Sequence, residues 1–361
     1  MDPSGTGPAI AIKDLIDLAG TPTTAGCAAL AAVAEPAARD AACLAGIRAA
    51  DAAIVGKTNL HELACGGTGV NAAFGTPVNP FDSTCIPGGS SSGNAVALAN
   101  HEVDIAIGSD TAGSIRTPSA CCGTVGLKTT WGRVPVGGVW PLAPSLDTIG
   151  PMARDVAGVV AGMALLESGF AAGVVAPRIG RVRLPDVDPA IDAAVDAVLA
   201  ASELEVVDIA LAGWEVASRA GWEVMFHEVW QVDGHLYEQD RAHLGADIRE
   251  RLEQARDVSD STYQRARAQR AVWRAELAAA FDHTPVLAWP TIAMFPTRID
   301  APVPNTRWTN IAVNHAGHPS LALPAPTGGR FPASIQLVGP DFAEDSLCAT
   351  GLLLEAAAAT L

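Results

Sequence analysis

The stretch that decides the reading is Ile86-Pro87-Gly88-Gly89-Ser90-Ser91-Ser92-Gly93-Asn94, followed by Gly108-Ser109-Asp110-Thr111-Ala112-Gly113-Ser114-Ile115-Arg116-Thr117-Pro118. Ser90 and Ser114 each follow a glycine-containing turn, with an apolar helix-like run and a strand-like run between them. Two such turns can face each other across one site, and small residues let backbone N–H groups approach a ligand closely. A serine on such a turn is a candidate nucleophile, but it needs a base. None of the eight histidines sits in a Gly-rich turn beside these serines. A lysine kept neutral by burial is the other option. Lys13, Lys57 and Lys128 all stand in apolar settings, and spacing does not choose among them.

Further blocks surround the two turns: Ala-Ile-Lys-Asp-Leu-Ile-Asp at 11–17, Gly-Lys-Thr-Asn-Leu at 56–60 and Phe-Gly-Thr-Pro-Val-Asn-Pro at 74–80. Cys-Gly-Thr-Val-Gly-Leu-Lys-Thr follows at 122–129, Ser-Leu-Asp-Thr-Ile-Gly-Pro-Met-Ala-Arg at 145–154 and Gln-Leu-Val-Gly-Pro-Asp-Phe-Ala-Glu-Asp at 336–345. In this ordered set the chain resembles the amidase signature family of amide hydrolases, over nearly its whole length and least from about 168 to 280.

The resemblance implies a Ser–cis-Ser–Lys triad. Carried over, the nucleophile falls on Ser114, the bridging serine on Ser90 after a cis Gly89–Ser90 bond, and the base on Lys13. Lys57 is then structural. The backbone N–H groups of Thr111, Ala112, Gly113 and Ser114 are the expected oxyanion donors, Asp110 and Arg116 support the turn, and Cys65, Gly66, Gly67 and Thr68 line the substrate site. The family commonly has two glycines before the nucleophile, where this chain has Ala112-Gly113. The implied fold is α/β: a single domain over residues 1–361, built on a large twisted mixed sheet with helices on both faces. The implied substrate is a small or hydrophobic amide. The alternatives are the glutaminase-type A subunit of a tRNA-dependent amidotransferase, which shares the triad, and a truncated, inactive relative.

Local readings agree with that class. Strands are expected at Pro8–Ile12, Ala52–Val55, Val103–Ile107, Arg178–Leu184, Glu205–Ile209, Val286–Trp289, Ser320–Leu323 and Ala333–Val338. Helices are expected over Arg39–Ala50, from Ala95 to Asn100 with Ser91 and Ser92 as turn and N-cap residues, Asp155–Glu167, Ile191–Leu199 and Glu344–Leu361. Residues 212–282 carry charge at helical spacing with few glycines, and read as an excursion of three or four helices. Strands alternating with helices imply a parallel or mixed sheet covered on both faces.

Composition sets the bounds. The net charge of −16, with 39 acidic against 23 basic residues, argues against nucleic acid as a partner. No run approaches the ~18 apolar residues of a membrane span, and Met1–Gly7 lacks a signal peptide's basic start and apolar core, so a cytoplasmic location is expected. Seven cysteines without a Cys-x-x-Cys pair read as buried, reduced thiols. No zinc, haem or dinucleotide motif is present, so neither metal nor cofactor is expected. Lys13 arrives early, without the helical cover that family members usually carry before it. Apolar surface left exposed there would call for a protein partner, such as a second copy in a homodimer.

Overall fold

Ten strands form one mixed sheet in the order β2-β1-β3-β5-β4-β9-β10-β8-β6-β7. This is a computed structural model, and it describes residues 5–301 and 308–361. The first four residues of the Met1–Gly7 stretch lie outside them. The strands are β1 (Ala9–Lys13), β2 (Ala53–Thr58), β3 (Ile105–Asp110), β4 (Val125–Lys128), β5 (Thr148–Ala153), β6 (Arg178–Val182), β7 (Glu205–Ile209), β8 (Val286–Pro290), β9 (Ser320–Ala325) and β10 (Ala333–Val338). At the two ends of the sheet the pairing is parallel: β1 with β2 and β3, and β6 with β7 and β8. The centre, from β3 through β5, β4, β9 and β10 to β8, is antiparallel.

Strand alternation sorts the side chains into two cores. Ile10, Ile12, Ile105 and Ile107 enter the larger cluster with Val156, Val159 and Met163 of α5, whereas Ala11 and Ala106 enter a second cluster with Ala95, Leu98 and Ile115. Short helices α1 (Ala28–Ala31) and α2 (Ala45–Ala49) precede α3 (Ser92–Ala99) and α4 (Arg116–Cys122), which cover the Ala11 face; α5 (Val156–Leu166), α6 (Pro189–Ala201) and the C-terminal helix pack on β5, β8 and β9. Lys13, two residues beyond Ala11 on a period-2 strand, is thereby placed on the side occupied by α3 and the Ser90 turn.

The excursion at 212–282 consists of three helices, α7 (Trp214–Asp240), α8 (Ala246–Arg256) and α9 (Asp260–His283), with a 3₁₀ turn between the first two. After β8 come α10 (Trp308–Ala316), β9, β10 and α11 (Glu344–Ala358).

The Arg39–Ala50 helix is shorter than expected. Ala41 N donates to Asp17 O and Ala42 N to Gly137 O, so the backbone at 39–42 is spent on neighbouring loops and the helical turns begin only at Ala42. The capping expectation at Ser91 and Ser92 is also corrected. α3 starts at Ser92, and Ser91 at the cap position makes no side-chain cap bond; its Oγ donates to Ser109 O at 3.4 Å. β4, β5 and α10 were not expected. All seven cysteines are buried and free.

Candidate active site

The site is assembled at the C-terminal ends of β1 and β3. Lys13, the last residue of β1, is fully buried. Its Nζ donates to Ser90 Oγ at 2.6 Å and to Ser109 Oγ at 2.9 Å. Burial pushes the ammonium down to about 7, opposed by the charges of Asp110 and Asp147. The other two candidate lysines are engaged elsewhere. Lys57 Nζ lies 2.6 Å from Asp14 Oδ1 and donates to Pro22 O and Thr23 Oγ1. Lys128, also buried and pushed to about 7, donates to the carbonyls of Thr129 and His318.

Ser90 follows a cis Gly89–Ser90 bond. The loop at Cys65–Thr68 is attached to this turn: Gly89 N donates to Gly67 O at 2.8 Å, and His61 N donates to Ser90 O at 3.1 Å. His61 Nδ1 lies 3.2 Å from Thr68 Oγ1, and its Nε2 lies 2.9 Å from Asp247 Oδ2 on α8. Glycine is required at 66, because a Cβ there would fall 1.8 Å from His61 Nε2.

The second turn leaves β3 at Asp110. This carboxylate accepts from Gly113 N (2.8 Å), Ile115 N (3.1 Å) and Arg116 N (3.4 Å), and so folds 110–116 around itself. Arg116 Nε and Nη2 donate back to it at 3.0 and 2.9 Å, and Nη1 donates to Gln336 Oε1 at 3.0 Å. Burial opposes the ionisation of Asp110, but Arg116, Lys128 and Asn314 together hold its carboxyl well below the usual range. Asp110 and Arg116 thus brace the turn from within. Gly113 (φ +107°) packs against Asn310, which a Cβ would strike at 2.8 Å. The expected set of oxyanion donors changes in one member: Gly113 N–H is taken by Asp110, which leaves the N–H groups of Thr111, Ala112 and Ser114 as candidates.

Ser91 N donates to Ser114 O at 3.1 Å, which ties the two serine turns together. Ser114 Oγ is buried and makes no hydrogen bond among the described residues. A cavity of about 100 Å³ adjoins Ser109 and Thr111; its apolar lining includes Leu15, Val139, Trp140 and Leu142, and its acid is Asp147. Asp147 accepts from Thr111 Oγ1 at 2.6 Å and from Leu142 N at 2.9 Å, and burial raises its pKa.

Sequence reasoning missed Asn310 and Asn314, both on α10. Asn314 Nδ2 donates to Asp110 Oδ1 at 2.8 Å, and Asn310 Nδ2 donates to Thr291 O at 2.9 Å. Their period of four was visible as Asn-x-x-x-Asn, but two amides do not announce a buried face. Ser109 and Asp147 stood inside quoted blocks without an assigned role.

A family model described as Amidase matches residues 6–172 and 166–348. The chain is 35% identical to 2-amino-5-chloromuconic acid deaminase of Comamonas testosteroni, over 96% of this chain and 80% of that protein. It is 33% identical to the A subunit of the glutamyl-tRNA(Gln) amidotransferase of Halobacterium salinarum, over 94% and 93% respectively. Among solved structures it is similar to the native peptide amidase of Stenotrophomonas maltophilia, with a TM-score of 0.82, 27% identity, and coverage of 98% of this chain and 82% of that one.

Proposed function

Because the chain belongs to the amidase signature family, and so to the hydrolases of C–N bonds, we propose that Ser114, Ser90 and Lys13 carry the reaction and that the substrate is an amide with a small, apolar acyl group. The observation that carries this reading is the 2.6 Å contact from a fully buried Lys13 to Ser90 Oγ, beside a second serine turn. A lysine pushed to about 7 is neutral often enough to take a proton at physiological pH. Ser114 Oγ adds to the amide carbonyl as its proton passes to Ser90, and Ser90's own proton passes to Lys13. The reverse path delivers a proton to the leaving nitrogen as the C–N bond breaks, and water then releases the acyl group by the same route. Donors aimed at the developing oxyanion are the N–H groups of Thr111, Ala112 and Ser114; loss of one such donor typically lowers the rate by about 10²–10³. The 100 Å³ of space beside Thr111 suits an acyl group of a few carbons.

The test is labelling with a fluorophosphonate and peptide mapping, together with a panel of amides, esters, carbamates and ureas on wild type and Ser114→Ala. Label on Ser114 and loss of turnover in the variant are expected. Label on Ser90 or Ser92 overturns the assignment. A second reading, a glutaminase-type A subunit, is favoured by the match along 93% of the Halobacterium protein. Glutamine-dependent ammonia release that needs a partner protein would select it.

A further inference from the structure

A second cavity of about 310 Å³ lies along the same edge of the sheet as the serine turns. β3 ends at Asp110 opposite Thr148, where β5 begins, and β4 ends at Lys128 opposite Ser320, where β9 begins. The lining follows from these ends: Thr130 and Trp131 come after β4, Ala316 and Gly317 come before β9, and α9 adds Arg270 and Arg274 one turn apart. Ser145, Asp341 and Phe342 complete it. The segment from Pro144 to Asp147 stands between the two cavities, since Pro144 and Asp147 line the first and Ser145 the second.

The charges of this lining do not cancel. Arg274 Nη2 donates to Asp341 Oδ2 at 2.6 Å, and Asp341 Oδ1 lies 2.7 Å from His318 Nδ1. Arg270 has no ion pair among the described residues. Its Nη2 donates to Ser145 O and Oγ, both at 3.3 Å, and its Nε is buried without an acceptor. The charge of Glu228 acts on Arg270, although its two oxygens accept from Ser145 N and Tyr263 OH and neither is in ion-pair contact with the guanidinium. A guanidinium has five N–H donors in a planar fork that matches a carboxylate. At the cavity wall Arg270 thus has donors left over, with no carboxylate within ion-pair distance among the described residues. Of the two arginines in the lining, Arg274 is paired with Asp341, and the fork of Arg270 has room for one further carboxylate. Two exposed rings flank it, Trp131 at 49% and Phe342 at 62% exposure, and offer a flat ligand body a surface.

We propose that this cavity is a carboxylate-binding subsite, with Arg270 as the fork and Trp131 as the wall for a planar or apolar body. The carboxylate can be the remote end of an amide substrate or a separate small acid, and the two are separated below.

The probe is benzoate, with benzyl alcohol as its uncharged counterpart, followed by isothermal titration calorimetry on the whole chain. Saturable benzoate binding is expected, with benzyl alcohol weaker by roughly 10-fold or more, because a charge-assisted hydrogen-bond pair is lost. Arg270→Leu and Trp131→Ala should each weaken benzoate by a similar factor. Should Arg270→Leu fail to fold, Arg270→Lys, which keeps the charge and removes the fork, and Trp131→Ala, at an exposed position, carry the test. No saturable heat with wild type, or equal affinity in wild type and the folded variants, overturns the subsite. Calorimetry needs no turnover, so failure of the amidase reading would leave this result standing, and the reverse. Competitive inhibition of amide turnover by benzoate would assign the subsite to the substrate's own carboxylate; binding without competition would assign it to a separate acid, and either pattern supports the site.

Discussion

Lys13→Met separates a base from a structural cation by two pH dependences. The side chain is fully buried, and burial moves it from 10.5 to about 7. If Lys13 is the base, only its neutral form works, so kcat/KM of the wild type should rise about tenfold between pH 6 and pH 8 and flatten above. The variant should lose at least about three orders of magnitude at every pH. The same shift sets stability. A lysine with a depressed folded pKa is charged in the unfolded chain and neutral in the fold between about 7 and 10.5, so folding releases a proton and stability rises with pH across that window. The penalty on the wild type is ~4 kcal/mol at pH 7 and ~2 kcal/mol at pH 9. Relative to Lys13→Met, the wild type should therefore gain ~2 kcal/mol from pH 7 to pH 9. That difference is independent of the two hydrogen bonds the variant loses, and Lys128, which also titrates near 7, cancels because both proteins contain it. The assay is urea unfolding of both proteins at the two pH values. A pH-independent stability difference would refute the buried, depressed lysine; a variant that keeps wild-type turnover would refute its role as base.

The remaining predictions concern groups outside the relay. Asp233 on α7 accepts from Trp140 Nε1 at 3.1 Å, its Oδ2 is unpartnered, and burial pushes its pKa up to about 8. Between its unfolded value and about 8 this carboxyl is protonated in the fold and ionised in the unfolded chain, so unfolding releases a proton and stability falls with pH: wild type should lose ~2–3 kcal/mol relative to Asp233→Asn between pH 5 and pH 7, read by chemical unfolding. Lys57→Ala should cost roughly 1 kcal/mol through its contacts with Asp14, Pro22 and Thr23, seen as a lower Tm, and should leave kcat/KM within a few-fold of wild type. Loss of turnover in that variant would move the base from Lys13 to Lys57.

What was legible in the sequence follows from where the polar groups had to go. β7 and β10 were read with their observed bounds because Glu205–Ile209 and Ala333–Val338 are bounded by turn residues and carry β-branched or apolar side chains at the strand period. β5 was not, since Thr148–Ala153 contains Gly150 and Pro151, and a proline argues against a central strand. It sits between β3 and β4 all the same, with Pro151 opposite Ile107. α10 was hidden by the opposite effect. Its buried side carries Asn310, Asn314 and His315, so a hydrophobic period is missing where the helix is most enclosed. The reason lies one layer away. Asp110 is ionised and fully buried, and a buried carboxylate must be paired and hydrogen-bonded on all sides. Arg116 supplies the charge from its own segment, and Asn314 supplies donors across 204 residues of chain. The short-range half of that arrangement, Asp-Thr-Ala-Gly-Ser-Ile-Arg, is written contiguously and could be read. The long-range half is a demand made by Asp110 on whichever helix packs over it, and it becomes visible only when the chain has returned there. Removing that half should therefore disturb the turn without touching a serine: Asp110 holds the turn's N–H groups directly, and Asn314 holds Asp110, so Asn314→Ala should lower turnover with Lys13, Ser90 and Ser114 all in place.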